Sequence, residues 1–297
     1  MCPVCGCGDS QRLYAVRADG AEACTDSDRF RPSASAYGTA LAQVVRCRAC
    51  GHGSLAVTPS EHEIASAYWD AADPSALDEE EGRLETARRS LRDIERRVQP
   101  GLVVEVGCWT GSFLVAARER GWDPVGLEPS AWASEVARQR GLPVQTSDLA
   151  HASIEPQSCR LVVMADVLEH LLDPAAALSQ ARKLLEPRGC LYVTVPDAGS
   201  VVARFLGRRW WSVLPMHVQY FTRSSMCTLL GANGFQVVAL SRPLKVFTAR
   251  YYAGRLGGYS AAGARIATRV LERFGLADRL VAPDFRDRLA VVALATV

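Results

Sequence analysis

The sequence has little lysine and no large excess of either charge. Lys183 and Lys245 are its only lysines, so 32 of the 34 basic residues are arginine, balanced by 32 acidic residues. The formal net charge is +2, which argues against nonspecific nucleic-acid binding, because that usually leaves a strong basic excess. Together with the abundance of Ala, Gly and Val, this arginine usage is typical of a GC-rich coding bias.

Long apolar runs are also missing. The first ten residues, MCPVCGCGDS, lack the apolar region of a secretory signal, and no run approaches the roughly 18 apolar residues that cross a bilayer. We therefore expect a cytoplasmic protein without a membrane span. Ten cysteines in a reducing compartment are not expected to form a disulfide framework.

Two Cys-x-x-Cys pairs stand near the N-terminus, and a glycine follows each. The pairs are Cys2 with Cys5 and Cys47 with Cys50. Two thiolates at this spacing can reach one ion if the next residue permits a tight turn, which Gly6 and Gly51 do. Two such pairs supply four sulfurs for tetrahedral Zn²⁺, and a four-thiolate site is closed and therefore structural. Two unrelated thiol pairs are the alternative, and Cys7, Cys24 and His52 are additional candidate ligands.

The remaining pattern divides the chain into three parts. Residues 1–58 are predicted to form a zinc-ribbon module and 59–100 a helical linker or cap, because Leu77, Leu84, Leu91 and Val98 recur every seven residues on an otherwise charged helix. From 101 to 297 apolar runs alternate with helical segments, which indicates a parallel α/β sheet covered on both faces. Within that part we expect a substrate lid at 198–222 and an insert at 243–286.

The stretch 103–113, VVEVGCWTGSF, joins an apolar strand to a helix through a Gly-containing turn. Gly107 and Gly111 permit close approach of a ligand to the backbone, and Glu105 precedes the turn. A dinucleotide site requires GxGxxG, with room for a pyrophosphate at the helix start. Here the two glycines are four residues apart and the second and third fingerprint glycines are absent. The turn therefore favours a cofactor without phosphates over NAD.

Acidic residues end the strands that follow this turn. Glu128 lies about twenty residues on, where a carboxylate can accept both ribose hydroxyls. Asp148 can accept from an adenine amino group, and Asp166 is expected to face the centre of the crevice. Ligands of open parallel sheets bind beyond the carboxyl ends of the strands, so these side chains are predicted to share one crevice.

Together these motifs resemble the class I S-adenosylmethionine-dependent methyltransferases over about 102–297. VVEVGCWTG is similar to the first motif, D/E-x-G-x-G-x-G, although Trp109 replaces the middle glycine. EPS at 128–130, SDL at 147–149, MADVLEHL at 164–171 and LLEPRGCLYVTVPD at 184–197 are similar to the later motifs. The resemblance implies a Rossmann-like seven-stranded sheet and S-adenosyl-L-methionine as cofactor. It implies cofactor contacts from Glu105, Gly107, Cys108, Trp109, Gly111, Phe113, Glu128, Pro129, Asp148, Leu149, Asp166 and Val167.

The cysteine module ahead of this region resembles bacterial methyltransferases of nucleotide-sugars, polyketides and other specialised metabolites. In the sugar C-methyltransferases of that group, a segment like HxxYF carries a catalytic histidine. The corresponding segment here is MHVQYFT at 216–222, which makes His217 the favoured base and Tyr220 a further catalytic candidate. His170 is a second candidate base, and its alternative role is to form hydrogen bonds that shape the pocket floor. Histidine suits proton transfer near neutral pH.

These patterns predict methyl transfer to a small-molecule hydroxyl in natural-product or sugar biosynthesis, by a monomer or homodimer. An RNA methyltransferase is the first alternative, because some ribosomal RNA enzymes also pair a four-cysteine module with this fold. The sequence lacks a basic stripe and an NPPY-like signature, so a nucleic-acid partner is disfavoured. A zinc-ribbon binding protein with a decayed cofactor domain is the second alternative, since Trp109 departs from the family pattern.

Overall fold

The structure is a computed structural model that describes residues 1–14, 17–18 and 36–296. Cys24, one of the additional candidate ligands, lies outside the described residues. Within the described ranges no helix combines the length and the apolar character needed to cross a membrane.

The strands in the described ranges are β1 (Ser10–Tyr14), β2 (Arg17–Ala18), β3 (Thr39–Ala40), β4 (Val44–Cys47), β5 (Gly53–Leu55), β6 (Leu102–Val106), β7 (Asp123–Leu127), β8 (Val144–Gln145), β9 (Cys159–Ala165), β10 (Leu185–Pro196), β11 (Gln219–Tyr220), β12 (Phe235–Ser241), β13 (Phe247–Thr248), β14 (Leu280–Val281) and β15 (Arg288–Ala295). The α-helices are α1 (Glu61–Trp69), α2 (Glu80–Ile94), α3 (Ser112–Glu119), α4 (Ala131–Gln139), α5 (Pro174–Leu184), α6 (Val201–Leu206), α7 (Arg223–Ala232), α8 (Ala249–Arg255) and α9 (Ala261–Arg273).

The central element is a seven-stranded sheet in the order β12-β15-β10-β9-β6-β7-β8. The strands from β10 to β8 pair in parallel, and β15 is antiparallel to both of its neighbours. The predicted α/β Rossmann-like fold with seven strands is therefore confirmed. Strand β10 begins at Leu185 and passes through an irregularity before Cys190.

Both faces of this sheet are buried, as the unbroken apolar runs predict. In β6, Val104 packs into one core cluster while its neighbour Val103 packs into the opposite one. In β9, Met164 and Val163 divide between the same two clusters. The sheet therefore holds the carboxyl ends of its strands in fixed positions beneath the candidate site.

The segment that carries the seven-residue repeat consists of a 3₁₀ helix at Pro74–Glu79 followed by α2. Leu91 and Ile94 of α2 are fully buried against the sheet, in the cluster that also holds Trp122. Leu77, which the seven-residue spacing placed on the same face, is exposed, because a 3₁₀ helix turns every three residues and shifts its side chains off the α-helical stripe. The α-helical part of the repeat is therefore α2, which packs on the sheet, while Leu77 and Val98 lie outside it.

The N-terminal strands form a second sheet in the order β1-β4-β5-β11. Its last strand, β11, comes from the segment predicted as a lid and pairs antiparallel with β5. In that segment Trp210 and Phe221 are fully buried, and Trp210 belongs to a core cluster shared with Val44 of β4. The segment is thus packed against the N-terminal module and fixes the loop that carries His217.

Candidate active site

One cleft of about 1240 Å³ opens at the carboxyl ends of the central strands. This volume exceeds the roughly 300–1,000 Å³ of a site for one small ligand. The predicted cofactor residues that line it are Glu105, Gly107, Cys108, Trp109, Phe113, Glu128, Pro129, Asp148, Leu149, Asp166 and Val167. Gly111 lies outside the lining. It starts α3 with φ +83°, and a Cβ there would approach Leu142 Cδ1 to 2.3 Å, so glycine is required for packing.

The turn after β6 keeps a left-handed backbone at Trp109. Its φ is +49°, and Gly107 has φ +67°, so Trp109 adopts a conformation that glycine adopts readily and other residues adopt at a cost of about 1–3 kcal/mol. The indole packs against Trp132, with ring centroids 5.5 Å apart. The substitution that the sequence singled out therefore leaves the path of the turn intact and places an aromatic wall in the cleft.

Two buried carboxylates lie beneath and beside this turn. Glu128 accepts hydrogen bonds from the backbone N–H of Trp109 at 2.7 Å and of Ser130 at 2.8 Å, and burial raises its pKa to about 7. Glu105 is also buried, its Oε2 has no hydrogen-bond partner, and desolvation raises its pKa well above the usual range. A buried oxygen without a partner is costly, so this end of the cleft suits a ligand that offers hydroxyl or ammonium donors.

The other two predicted acids have protein partners. Asp148 Oδ1 accepts from the backbone N–H of His151 at 3.0 Å and lies 2.7 Å from His151 Nδ1, and both side chains are exposed. Asp166 forms ion pairs with Lys245 and Arg288. These two cations join the insert and β15 to the end of β9, so the carboxylate of Asp166 is already neutralised.

Lys245 and Arg288 were not predicted as site residues. Both line the cleft, and burial lowers the pKa of Lys245 and brings that of Arg288 to about 10. The scarcity of lysine was the available signal, since one of only two lysines in the chain lies here. No sequence motif around Arg288, which begins β15, predicts it as a site residue.

The cleft also brings together the two predicted histidines, His170 and His217. The ring centroids of His170 and His217 are 4.9 Å apart. His217 Nδ1–H donates to the Ser212 carbonyl oxygen at 2.7 Å, so its Nε2 carries the free lone pair. His170 Nδ1 lies 2.7 Å from the Tyr68 hydroxyl and 3.1 Å from the Met216 carbonyl oxygen.

Burial favours the neutral form of both histidines. Burial lowers the pKa of His217 well below its usual value and that of His170 to about 4. Glu169 beside them is 2% exposed, its Oε2 has no hydrogen-bond partner, and desolvation raises its pKa to about 8. The sequence analysis did not list Glu169 as a site residue, although its position before His170 was a usable signal.

Tyr220, predicted as a catalytic candidate, is not placed to act as one. It does not belong to the residues that line the cleft. It pairs with Gly53 in the N-terminal sheet, and the centroid of its ring lies 5.9 Å from that of Tyr14. The physical reason is the long-range pairing of β11 with β5, which directs Tyr220 toward the core of the N-terminal module. His217, three residues earlier, lines the cleft.

Four sulfurs converge in the N-terminal module. The Sγ atoms of Cys2, Cys5, Cys47 and Cys50 all lie within 4.8 Å of one another. The closest pairs, Cys2 with Cys50 and Cys5 with Cys47, are 3.6 Å apart. A tetrahedral Zn²⁺ with bonds of about 2.3 Å requires sulfurs about 3.8 Å apart, so this donor set fits the ion.

The glycines and the extra candidate ligands agree with a four-cysteine set. Gly6 and Gly51 have φ of +71° and +76°, as the tight turns after each pair require. His52 instead forms a buried hydrogen bond from Nε2 to Gln219 Oε1 at 2.8 Å. Cys7 is not part of the cluster.

Comparison with known proteins places the chain among methyltransferases. C-methyltransferase NovU of Streptomyces niveus is 29% identical over 168 residues, which are 55% of this chain and 38% of NovU. Ubiquinone biosynthesis O-methyltransferase of Pectobacterium carotovorum is 30% identical over 144 residues, which are 43% of this chain and 56% of that enzyme. The chain thus spans about two fifths of the first relative and just over half of the second.

A solved structure shares the fold. It is a chain of the complex between the Haloferax volcanii Trm112 methyltransferase activator and a methyltransferase. It matches with a TM-score of 0.52 at 17% identity, over 73% of this chain and 94% of that one. A family model described as a methyltransferase domain matches residues 79–240, more than half of the 297 residues, and the chain therefore belongs to the methyltransferase-domain family.

Proposed function

We propose that this protein transfers a methyl group from S-adenosyl-L-methionine to a small-molecule acceptor, a hydroxyl of a natural-product or sugar intermediate. The observation that carries the proposal is a cleft lined both by two buried acids, Glu105 and Glu128, and by two histidines, His170 and His217. Its volume of about 1240 Å³ leaves room for a cofactor and an acceptor together.

The two buried acids, Glu105 and Glu128, fit the polar groups of S-adenosyl-L-methionine. The unpartnered Oε2 of Glu105 is suited to the ammonium group of the methionyl part. Each oxygen of Glu128 accepts one backbone hydrogen bond and retains a lone pair for a ribose hydroxyl. Asp148 lies at the rim, where it can meet the adenine. When bound, the cofactor supplies a sulfonium-activated methyl group.

The two histidines, His170 and His217, suit the methyl acceptor. An in-line displacement requires the acceptor oxygen to be held against the methyl group, and a base assists when that oxygen carries a proton. His217 is the base in this proposal, because the bond from Nδ1 to the Ser212 carbonyl fixes the ring and leaves Nε2 unprotonated. Trp211, Tyr252 and Phe285 form an aromatic wall in the same cleft, which suits an acceptor with an apolar or ring-shaped face.

The cysteine cluster has a structural role in this proposal. A Zn²⁺ held by Cys2, Cys5, Cys47 and Cys50 leaves no open coordination position. The module that it stabilises pairs with β11 through β5, and thereby supports the loop of His217.

Calorimetry with S-adenosyl-L-methionine tests the first half of the proposal, and transfer of a labelled methyl group to a panel of hydroxylated metabolites tests the second. We expect saturable binding of one cofactor per chain and label in at least one hydroxylated acceptor. The absence of measurable cofactor binding by the folded, zinc-containing protein would overturn the proposal.

A further inference from the structure

Three groups that line the cleft form an arrangement that base catalysis alone does not require. Glu169, His170 and His217 each place one ligand atom within 4.8 Å of the other two. Two imidazoles and one carboxylate are a donor set typical of divalent transition-metal ions at catalytic sites. We propose that Glu169, His170 and His217 bind a divalent transition-metal ion such as Zn²⁺ or Mn²⁺ in the acceptor half of the cleft.

The hydrogen bonds around the cluster orient its ligand atoms. His217 Nδ1–H donates to the Ser212 carbonyl, which leaves Nε2 available for a metal. His170 is engaged at Nδ1 by the Tyr68 hydroxyl and the Met216 carbonyl, so its Nε2 is likewise free of these partners. Metal-binding histidines usually have their second nitrogen held in this way, because such contacts fix the tautomer and the ring orientation.

The carboxylate supplies an independent observation. Glu169 is 2% exposed, and its Oε2 is buried without a hydrogen-bond partner. An unpaired buried carboxylate is strongly unfavourable, and a divalent cation would remove that cost. Lys245 is a nearby cation, but its ammonium group pairs with Asp166.

The ion would be accessible to an acceptor. All three ligand residues line the cleft, so coordination positions remain open on that side, as they do at catalytic sites and do not at the four-cysteine cluster. Bonds of about 2.1 Å place tetrahedral ligand atoms about 3.4 Å apart, so the side chains close inward by roughly an ångström on binding. This closure is small for three groups on short segments.

The site extends the proposed function and rests on it for its chemistry. An acceptor hydroxyl bound to the ion loses its O–H proton to solvent water, and its oxygen remains bound to the metal, because a cation lowers the pKa of a bound hydroxyl. In this state His217 is a ligand, whereas in the metal-free cluster its Nε2 accepts the proton. The acceptors that fit best offer two adjacent oxygens, such as a vicinal diol or a hydroxyketone.

Metal content tests the site without reference to methyl transfer. The untagged, zinc-containing chain is dialysed against Mn²⁺, which does not displace Zn²⁺ from four thiolates, and all bound metal is counted by mass spectrometry. We expect the wild type to hold two cations per chain, one Zn²⁺ at the cysteines and one further ion. Glu169→Gln and His217→Gln, which preserve side-chain size, should weaken retention of the further ion at least tenfold.

His62→Ala is the matched control, since His62 is an exposed histidine on α1 and its loss should leave two cations. A wild-type content of one cation, or two cations in both cluster variants, would overturn the metal site. Cofactor affinity is measured on the same samples. Normal cofactor binding with a single metal refutes the ion and leaves the proposed function standing, and two metals without cofactor binding give the reverse result.

Discussion

The backbone N–H of Trp109 donates to Glu128 Oε2 across 2.7 Å. This bond ties the turn after β6 to the acid at the end of β7, the two places where a methyl-donor cofactor would contact the sheet. Trp109 makes this bond from a left-handed backbone conformation. The bulky residue in the turn therefore takes part in positioning Glu128 rather than blocking the site.

Replacing Glu128 by alanine should weaken S-adenosyl-L-methionine binding by about 10- to 100-fold, because hydrogen bonds to a charged group contribute about 1.5–3 kcal/mol. Calorimetry provides the measurement. Glu135→Ala is the control, since Glu135 is an exposed acid of α4 paired with Arg138, and its affinity should match the wild type. An unchanged affinity in Glu128→Ala would contradict the ribose role.

The raised pKa of Glu128 makes stability depend on pH. Its pKa is about 7 in the fold and about 4.3 in an unfolded chain, so the folded protein binds the extra proton between these values. Stability from this group is complete below pH 4 and is lost as pH rises through 7. Glu128→Gln cannot take up this proton. The fall in its free energy of unfolding between pH 5 and 7 should therefore be smaller than in the wild type, by up to about 1.4 kcal/mol per pH unit. Thermal unfolding at several pH values measures it, and parallel curves for the two proteins would refute the shift.

Cys47→Ser should abolish retention of the cysteine-bound zinc, because three thiolates and a hydroxyl no longer satisfy the closed site. Since bound zinc contributes directly to folding, the melting temperature should fall as well. Cys227→Ser is the control, because Cys227 lies on α7, away from the four-sulfur cluster. Zinc content by mass spectrometry and thermal unfolding give the result. A zinc content in Cys47→Ser equal to that of the wild type would disprove the four-cysteine site.

The two lysines of the chain offer a matched pair. Lys245→Met keeps the apolar stem but leaves Asp166 with Arg288 alone, and we expect the free energy of unfolding to fall by about 1–3 kcal/mol, less than for a fully buried pair because these side chains are partly exposed. Lys183→Met should change it by less than about 0.5 kcal/mol, since Lys183 is an exposed residue of α5. Urea denaturation compares them, and equal stabilities would show that the Lys245 ion pair contributes nothing.

The contrast between these residues shows what the sequence could predict. The alternation of strands and helices over 101–297 was predicted, because short apolar runs between helical segments specify buried strands such as β6. Each Cys-x-x-Cys pair can also be recognised from five consecutive residues. The ion pair of Lys245 with Asp166 joins residues 79 positions apart, and the module position of Tyr220 depends on pairing with β5. Such contacts arise from tertiary packing, and no spacing rule reaches them.

The last prediction concerns His217, whose ring nitrogens have different partners. His217→Ala should lower turnover by about 10²- to 10⁴-fold, because the variant loses Nε2, either as proton acceptor or as metal ligand. Cofactor affinity should stay within about twofold, since the proposed cofactor contacts are made by Glu105 and Glu128 rather than by His217. The measurement pairs steady-state kinetics with calorimetry, and His62→Ala should retain full turnover. Near-normal turnover in His217→Ala would remove this residue from the chemistry and leave His170 and Glu169 as the groups to test.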